Sequence, residues 1–364
     1  ADFAFRFYKH AIAKEVDKNI FFSPISISTA FALLALGAKS TTLSQILEGL
    51  GFHSVPEARV EDVHESFHKV LAALNCTDAN FTLNIGNALF TAIGYEPQEA
   101  FLKNTKQFYD ADFFSINFHK ENEAKTQINN YVKDKTKEKI PKLIDHLGRN
   151  TIMVMVNYIY FKAAWEKDFD PELTYEGDFF VTTNASVNVS MMQREDDYNT
   201  YYDRDLSCTV VELPYQGTTR ALLILPDDGK MKQVEDALSK ETICKWDNKL
   251  ETRRVHLHLP KTSISGSYDV EKLFKEMGVT DVFSSKADLS GITGSRDLHV
   301  SQAIHKALLE IDEAGTEAAG ATAIIVAKNL LPPITIRFNH PYIIIISDEA
   351  ISTTLFLGKV VNPT

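Results

Sequence analysis

The 364-residue chain reads as an α+β protein built on mainly antiparallel sheets. Apolar residues recur at helical spacing through the first 150 residues, and runs that are apolar at nearly every position take over from about residue 151. The two kinds of element come in blocks and not in a strict βαβ alternation, which is the pattern of the α+β class.

The opening stretch ADFAFRFYKHAIAKEV has helical spacing and lacks the form of a signal peptide, as a mature, processed chain would. Over 57–74, Val60, Val63, Phe67, Val70, Leu71 and Leu74 fall on one helical face. Residues 121–139 predict a polar helix with few apolar anchors. The strand-like runs are TIMVMVNYIYF, SCTVVEL, RALLILP, VHLHLPK, TIRF and YIIIIS. Several lack a polar face, as strands buried on both sides do. The turn signal PDDG at 226–229 punctuates them.

Residues 313–328, EAGTEAAGATAIIVAK, do not fit a globular core. The first half holds small residues and two glycines, with no large apolar anchor. Pro332 and Pro333 follow and forbid both a helix and a central strand there. The stretch reads as a surface loop that can also become a strand, because small and β-branched side chains fit between existing strands.

Composition narrows the function classes. With 44% apolar and 24% charged residues the chain can bury a large core in one domain, 1–364, and nothing marks a linker or a repeat. The net charge, 38 − 49 = −11, argues against a nucleic-acid binder, which would need clustered Lys and Arg. No apolar run reaches transmembrane length, so no membrane partner is expected. Cys76, Cys208 and Cys244 are odd in number, so at least one cannot pair within the chain. Four N-x-S/T sequons, at Asn75, Asn80, Asn184 and Asn188, suggest a secreted, extracellular glycoprotein.

Catalytic motifs are weak or missing. His64-Glu65-Ser66-Phe67-His68 matches the zinc-protease pattern HExxH, but no third ligand is evident and the same helix is amphipathic. A structural helix is the better reading, so neither metal nor cofactor is expected. There is no GxSxG elbow, GxGxxG or GxxxxGK, and no catalytic residue is assigned.

Several stretches carry a family resemblance: NIFFSPISIS (19–28), NYIYFKAAWEKDFDP (157–171), ADLSGIT (287–293), HKALLEIDEAGTEAAGATA (305–323), FNHPY (338–342) and LFLGKVVNP (355–363). From residue 2 to the C-terminus the chain resembles the serpin family, and most closely its plasma α1-antitrypsin and α1-antichymotrypsin branch. The resemblance implies a monomer of three β-sheets and about nine helices, with an exposed reactive-centre loop at about 313–337. It implies a secreted inhibitor and not an enzyme. A serine protease attacks the loop and forms an acyl-enzyme, and the cleaved loop then inserts into the main sheet and traps it.

The hinge, Gly315, Thr316, Glu317, Ala318, Ala319, Gly320, Ala321 and Thr322, suits insertion. Alternation puts Thr316, Ala318, Gly320 and Thr322 on one face, and the one charge, Glu317, on the other. Ser23, Ser26, Asn157 and His305 match the family's shutter. Trp165 matches the breach, where Glu313 should pair with Lys261. Family spacing counted forward from Glu313 puts the scissile bond after Asn329, and counted back from Phe338 after Leu330, with Lys328 adjacent. Lys before the bond would suit a trypsin-like protease and Leu a chymotrypsin-like one. The alternative is a non-inhibitory relative that carries a small hydrophobic hormone, as the steroid- and thyroxine-binding globulins do. The segment SDEAISTT (347–354) has no aromatic residue where the steroid carrier has a Trp, which weakens the steroid version.

Overall fold

The computed structural model describes residues 2–15, 17–53, 55–77, 81–314 and 332–364. The described residues contain ten α-helices: α1 (Asp2–Lys14), α2 (Pro24–Ala35), α3 (Ser40–Gly49), α4 (Val60–Leu74), α5 (Glu99–Tyr109), α6 (Glu121–Lys135), α7 (Met231–Ala237), α8 (Lys240–Lys249), α9 (Val270–Glu276) and α10 (Ser290–Thr293). The first eight strands are β1 (Ile20–Phe22), β2 (Cys76–Thr77), β3 (Phe81–Ala92), β4 (Asp112–Ile116), β5 (Met153–Ala163), β6 (Tyr175–Thr182), β7 (Ala185–Asp203) and β8 (Cys208–Pro214). Seven more follow: β9 (Thr219–Pro226), β10 (Glu251–Pro260), β11 (Thr262–Asp269), β12 (Gln302–Ile311), β13 (Ile334–Arg337), β14 (Tyr342–Asp348) and β15 (Thr353–Val360).

One sheet has six strands in the order β11-β12-β5-β3-β2, with β4 paired to β3. Two of the three implied sheets are joined in a nine-stranded network, β1-β15-β14-β9-β8-β7-β10-β13, with β6 on β7. The join is β7 itself, 19 residues long, which pairs in turn with β6, β10 and β8. Pairing among the described strands is antiparallel except at β3–β4, β5–β12 and β10–β13.

The run at β5 lacks a polar face because the six-stranded sheet is covered on both sides. Val154, Val156 and Tyr158 pack with Ile128 and Val132 of α6. Met153, Met155 and Ile159 join the main core, where α2 packs against β5 and β15. Helix α2 is apolar almost all round, with Phe31, Leu33 and Leu34 fully buried, as a helix inside the core must be.

The structure departs from the sequence reading at several elements. The polar helix stops at Lys135, four residues early. Thr136 Oγ1 donates to Val132 O at 2.7 Å and accepts the Ile140 N–H at 3.1 Å, and Lys137 and Glu138 turn left-handed at φ 50° and 64°. Strand β3 lies within the part read as mostly helical. Its Asn84, Gly86 and Asn87 break the apolar pattern, yet Gly86 is required because a Cβ there would lie 2.0 Å from the Tyr158 ring. Strands β6 and β7 lack the apolar run sought in a strand because many of their residues face solvent. Residues 334–337, included in the expected loop, form β13 beside β10.

Candidate functional site: the seam between β5 and β12

The site begins at the start of α2. Ser23 is its N-cap, with extended φ −107°, and its Oγ accepts the Ser26 N–H at 3.2 Å while Pro24 opens the first turn. This cap sets Ser26 Oγ 2.8 Å from Asn157 Oδ1 on β5, to which it donates. His305 on β12 stands opposite Asn157 in the parallel register. Its Nδ1 lies 2.6 Å from the same Oδ1, and its Nε2 lies 3.0 Å from the Ser23 backbone nitrogen. A backbone N–H only donates, so Nε2 carries the lone pair and the ring proton sits on Nδ1, directed at Asn157. Asn157 Nδ2 donates to Asn87 Oδ1 at 2.8 Å, and Asn87 Nδ2 to Thr29 Oγ1 at 3.3 Å. One buried network thus ties α2 to β3, β5 and β12. Burial pushes the His305 imidazole down to about 3, so it is neutral at physiological pH.

Ser23, Ser26, Asn157 and His305 are therefore brought together. Asn87 and Thr29 belong to the same network and were missed by sequence reasoning. The available signal was a polar residue at a buried position, visible for Asn87 only once β3 is recognised as a strand and for Thr29 as a polar residue in the mostly apolar helix α2.

Above this network the seam is unpaired. The β5–β12 register runs from Val154↔Gln302 to Ile159↔Ala307. Strand β5 continues to Ala163 and β12 to Ile311, and among the described residues no backbone pairing joins these ends. The end of β12 is held sideways instead. Trp165 Nε1 donates to Asp312 O at 3.0 Å, and the Phe169 N–H to Glu313 O at 3.3 Å. Glu313 Oε1 accepts from Thr174 Oγ1 at 2.7 Å, and Oε2 lies 3.0 Å from Lys261 Nζ. Trp165 is stacked on Tyr215 with centroids 4.1 Å apart. Burial raises the Glu313 carboxyl, but the Thr174 hydroxyl and the Lys261 ammonium outweigh it and hold the group below the usual carboxylate range.

The hinge, Gly315–Thr322 in the sequence reading, lies outside the described residues, as do Lys328, Asn329 and Leu330. Of the sequons, Asn80 is also outside them. Asn75 is exposed at the C-cap of α4, Asn184 is exposed in the β6–β7 turn, and Asn188 is exposed on β7, a strand where the sequence suggested a loop. Cys208 is buried and free, its thiol pushed up to about 12 by burial, whereas Cys244 is free and exposed. His64 is buried with Nδ1 2.6 Å from Tyr109 Oη, and His68 is exposed. No cluster of three or more metal-ligating side chains occurs among the described residues, and no described helix is long and apolar enough to cross a membrane.

The fold and this seam define a protein class, and comparison with known proteins agrees. A family model described as "Serpin (serine protease inhibitor)" matches residues 1–363. The chain belongs to the serpin family. It is 46% identical to alpha-1-antiproteinase 2 of Equus caballus, over 100% of this chain and 86% of that one. It is 45% identical to the plasma serine protease inhibitor of Homo sapiens, over 100% and 89%. Among solved structures, human thyroxine-binding globulin with its hormone superposes with a TM-score of 0.93 at 39% identity, covering 100% of this chain and 97% of that one.

Proposed function

We propose that the chain is a secreted suicide inhibitor of serine proteases and not an enzyme. The observation that carries this reading is the parallel β5–β12 seam, unpaired over its upper part, with the hinge sequence continuing from the end of β12. A segment that turns back from β12 and enters this seam runs antiparallel to both neighbours. One parallel ladder is then exchanged for two antiparallel ladders, which are the more stable kind. The small residues of 315–322 can make that entry without clashes.

In this mechanism the protease serine attacks the carbonyl of Lys328, Asn329 or Leu330, and the amine of the following residue leaves with a proton. Lys328 suits a trypsin-like pocket and Leu330 a chymotrypsin-like one. Insertion of the hinge then carries the acyl-enzyme away before water releases it. Ser23, Ser26, Asn157 and His305 act as the shutter that keeps β5 and β12 together until the hinge arrives. Trp165, Glu313 and Lys261 set where the seam starts to open. The names of the two relatives, an antiproteinase and a plasma protease inhibitor, support both the inhibition and the secretion. Glycans on Asn75, Asn184 and Asn188 would fit their exposure.

A second reading rests on the thyroxine-binding neighbour. A cleft of about 510 Å³ lies between α1 (Phe3, Arg6, Lys9) and Leu238–Ser239, large enough for a small hydrophobic ligand. The deciding experiment mixes the protein with trypsin, chymotrypsin, elastase and cathepsin G on denaturing gels, with mass spectrometry of the released C-terminal peptide. A covalent complex that survives boiling supports the inhibitor, and the peptide's first residue locates the bond. Cleavage without a complex across the panel favours the carrier.

A further inference from the structure

Strand β10 carries two histidines, His256 and His258, that the seam does not use. Two positions apart on a strand, they share one face, and their ring centroids lie 4.3 Å apart. Gln193 Nε2 donates to Leu173 O at 2.8 Å, which turns Gln193 Oε1 toward His256. His256 Nε2, 2.9 Å from that oxygen, therefore carries the proton, and its Nδ1 keeps a lone pair. His258 Nδ1 lies 2.7 Å from Tyr175 Oη. His258 Nε2 is buried and has no hydrogen-bond partner, in a residue only 4% exposed.

An imidazole oriented through one nitrogen, with the other left without a partner, is how a metal-ligating histidine is held. We propose that His256 and His258 form a two-histidine site for one divalent transition ion of the zinc and copper class. The ligands are His256 Nδ1 and His258 Nε2, and water reaching the ion from the half-buried His256 side fills the remaining positions. His258 then donates Nδ1–H to Tyr175 Oη, which leaves the Nε2 lone pair for the metal. The rings stand 4.3 Å apart, near enough for one ion to reach both through metal–nitrogen bonds of about 2.0–2.1 Å. Imidazole nitrogens select zinc, copper and nickel over calcium and magnesium, which take oxygen ligands. The surrounding charges oppose each other. Glu195 stands opposite His256 on β7, with Asp197 beyond it, but Arg254 pairs with both, and Arg337 stands opposite His258 on β13. Two protein ligands in this field give a micromolar and not a nanomolar site.

The test titrates zinc chloride into chelator-treated, intact protein at neutral pH, followed by calorimetry and by the NMR signals of the imidazole rings. One zinc per chain is expected, with both His256 and His258 signals shifting and affinity falling at least tenfold in His256→Ala. Gln193→Leu, which frees the His256 tautomer, should weaken binding several-fold. His256 is half-buried, so His256→Ala reports even if a substitution at the buried His258 prevents folding. Absence of zinc binding up to 100-fold above the micromolar range, or binding unchanged in His256→Ala because zinc sits near Cys244 or His68, overturns the proposal.

Discussion

His305 on β12 and Asn157 on β5 face each other across the parallel seam, with Nδ1 and Oδ1 2.6 Å apart. The same ring accepts the Ser23 N–H, so one side chain joins the two strands to the helix beneath them. Removing it strands a buried N–H and half-empties Asn157, at a cost of about 1–3 kcal/mol for each unsatisfied group. His305→Ala should therefore lower the midpoint of thermal unfolding by several degrees and speed polymerisation on heating. Native gels of heated samples check this, and an unchanged polymerisation rate would count against the shutter role.

Two buried histidines, His305 in this network and His64 against Tyr109, make a pH prediction. In the folded protein His305 and His64 are held at about 3 and about 4, mainly by burial. Unfolded histidine titrates near 6.5, so the unfolded chain takes up protons that the folded chain refuses as pH falls below about 6.5. Their contribution is complete above that value and declines toward pH 4 for His64 and pH 3 for His305. Denaturant midpoints should fall between pH 7 and pH 5, and His64→Phe should flatten the profile by up to one proton. A variant profile parallel to the wild type would refute this.

At the end of β12, Lys261→Ala removes the ammonium from Glu313. Lys261 Nζ is partly exposed, so the loss to global stability should be small, about 1 kcal/mol or less. The local effect should be larger, because Glu313 and Asp312 hold the end of β12 toward Thr174 and Trp165. Hydrogen exchange at Glu310–Asp312 should quicken several-fold while the global midpoint barely moves. Equal protection in both proteins would show that the pair does not hold the strand end.

Insertion predicts the outcome of a hinge charge. In the proposed mechanism Thr316 would fall on the hinge face that enters the sheet, so Thr316→Arg should leave loop cleavage intact and abolish covalent trapping. Persistent covalent trapping on a denaturing gel would refute the insertion model.

A buried pair far from the seam offers a stability test. Lys359 and Glu235 are 3.3 Å apart with side chains 7% exposed, and Tyr8 Oη donates to the same carboxylate at 2.6 Å. Lys359→Met leaves that charge without its cation and should cost about 3–5 kcal/mol. Adding Glu235→Leu together with Tyr8→Phe should recover much of the loss, because apolar groups then replace both the desolvated pair and the hydroxyl that donates to it. No recovery would mean that the packing and not the charge is what Lys359 supplies.

The local sequence determined a good deal of this protein. The amphipathic face of α4, the doubly buried runs of β5, β9 and β14, the turn at Gly229 and the unusual small-residue stretch after Glu313 were all legible, because each is a short-range pattern of apolar spacing or backbone freedom. The family motifs identified Ser23, Ser26, Asn157 and His305, which lie up to 282 residues apart, but not what they touch. Tertiary structure decided that Asn87 and Thr29 complete their network, that β7 joins two sheets, and that the β5–β12 ladder stops at Ala307. It also decided which His305 nitrogen bears the proton, through the Ser23 N–H. These depend on hydrogen-bond partners distant in sequence and on burial from both faces of a sheet, and neither leaves a periodic trace in the chain.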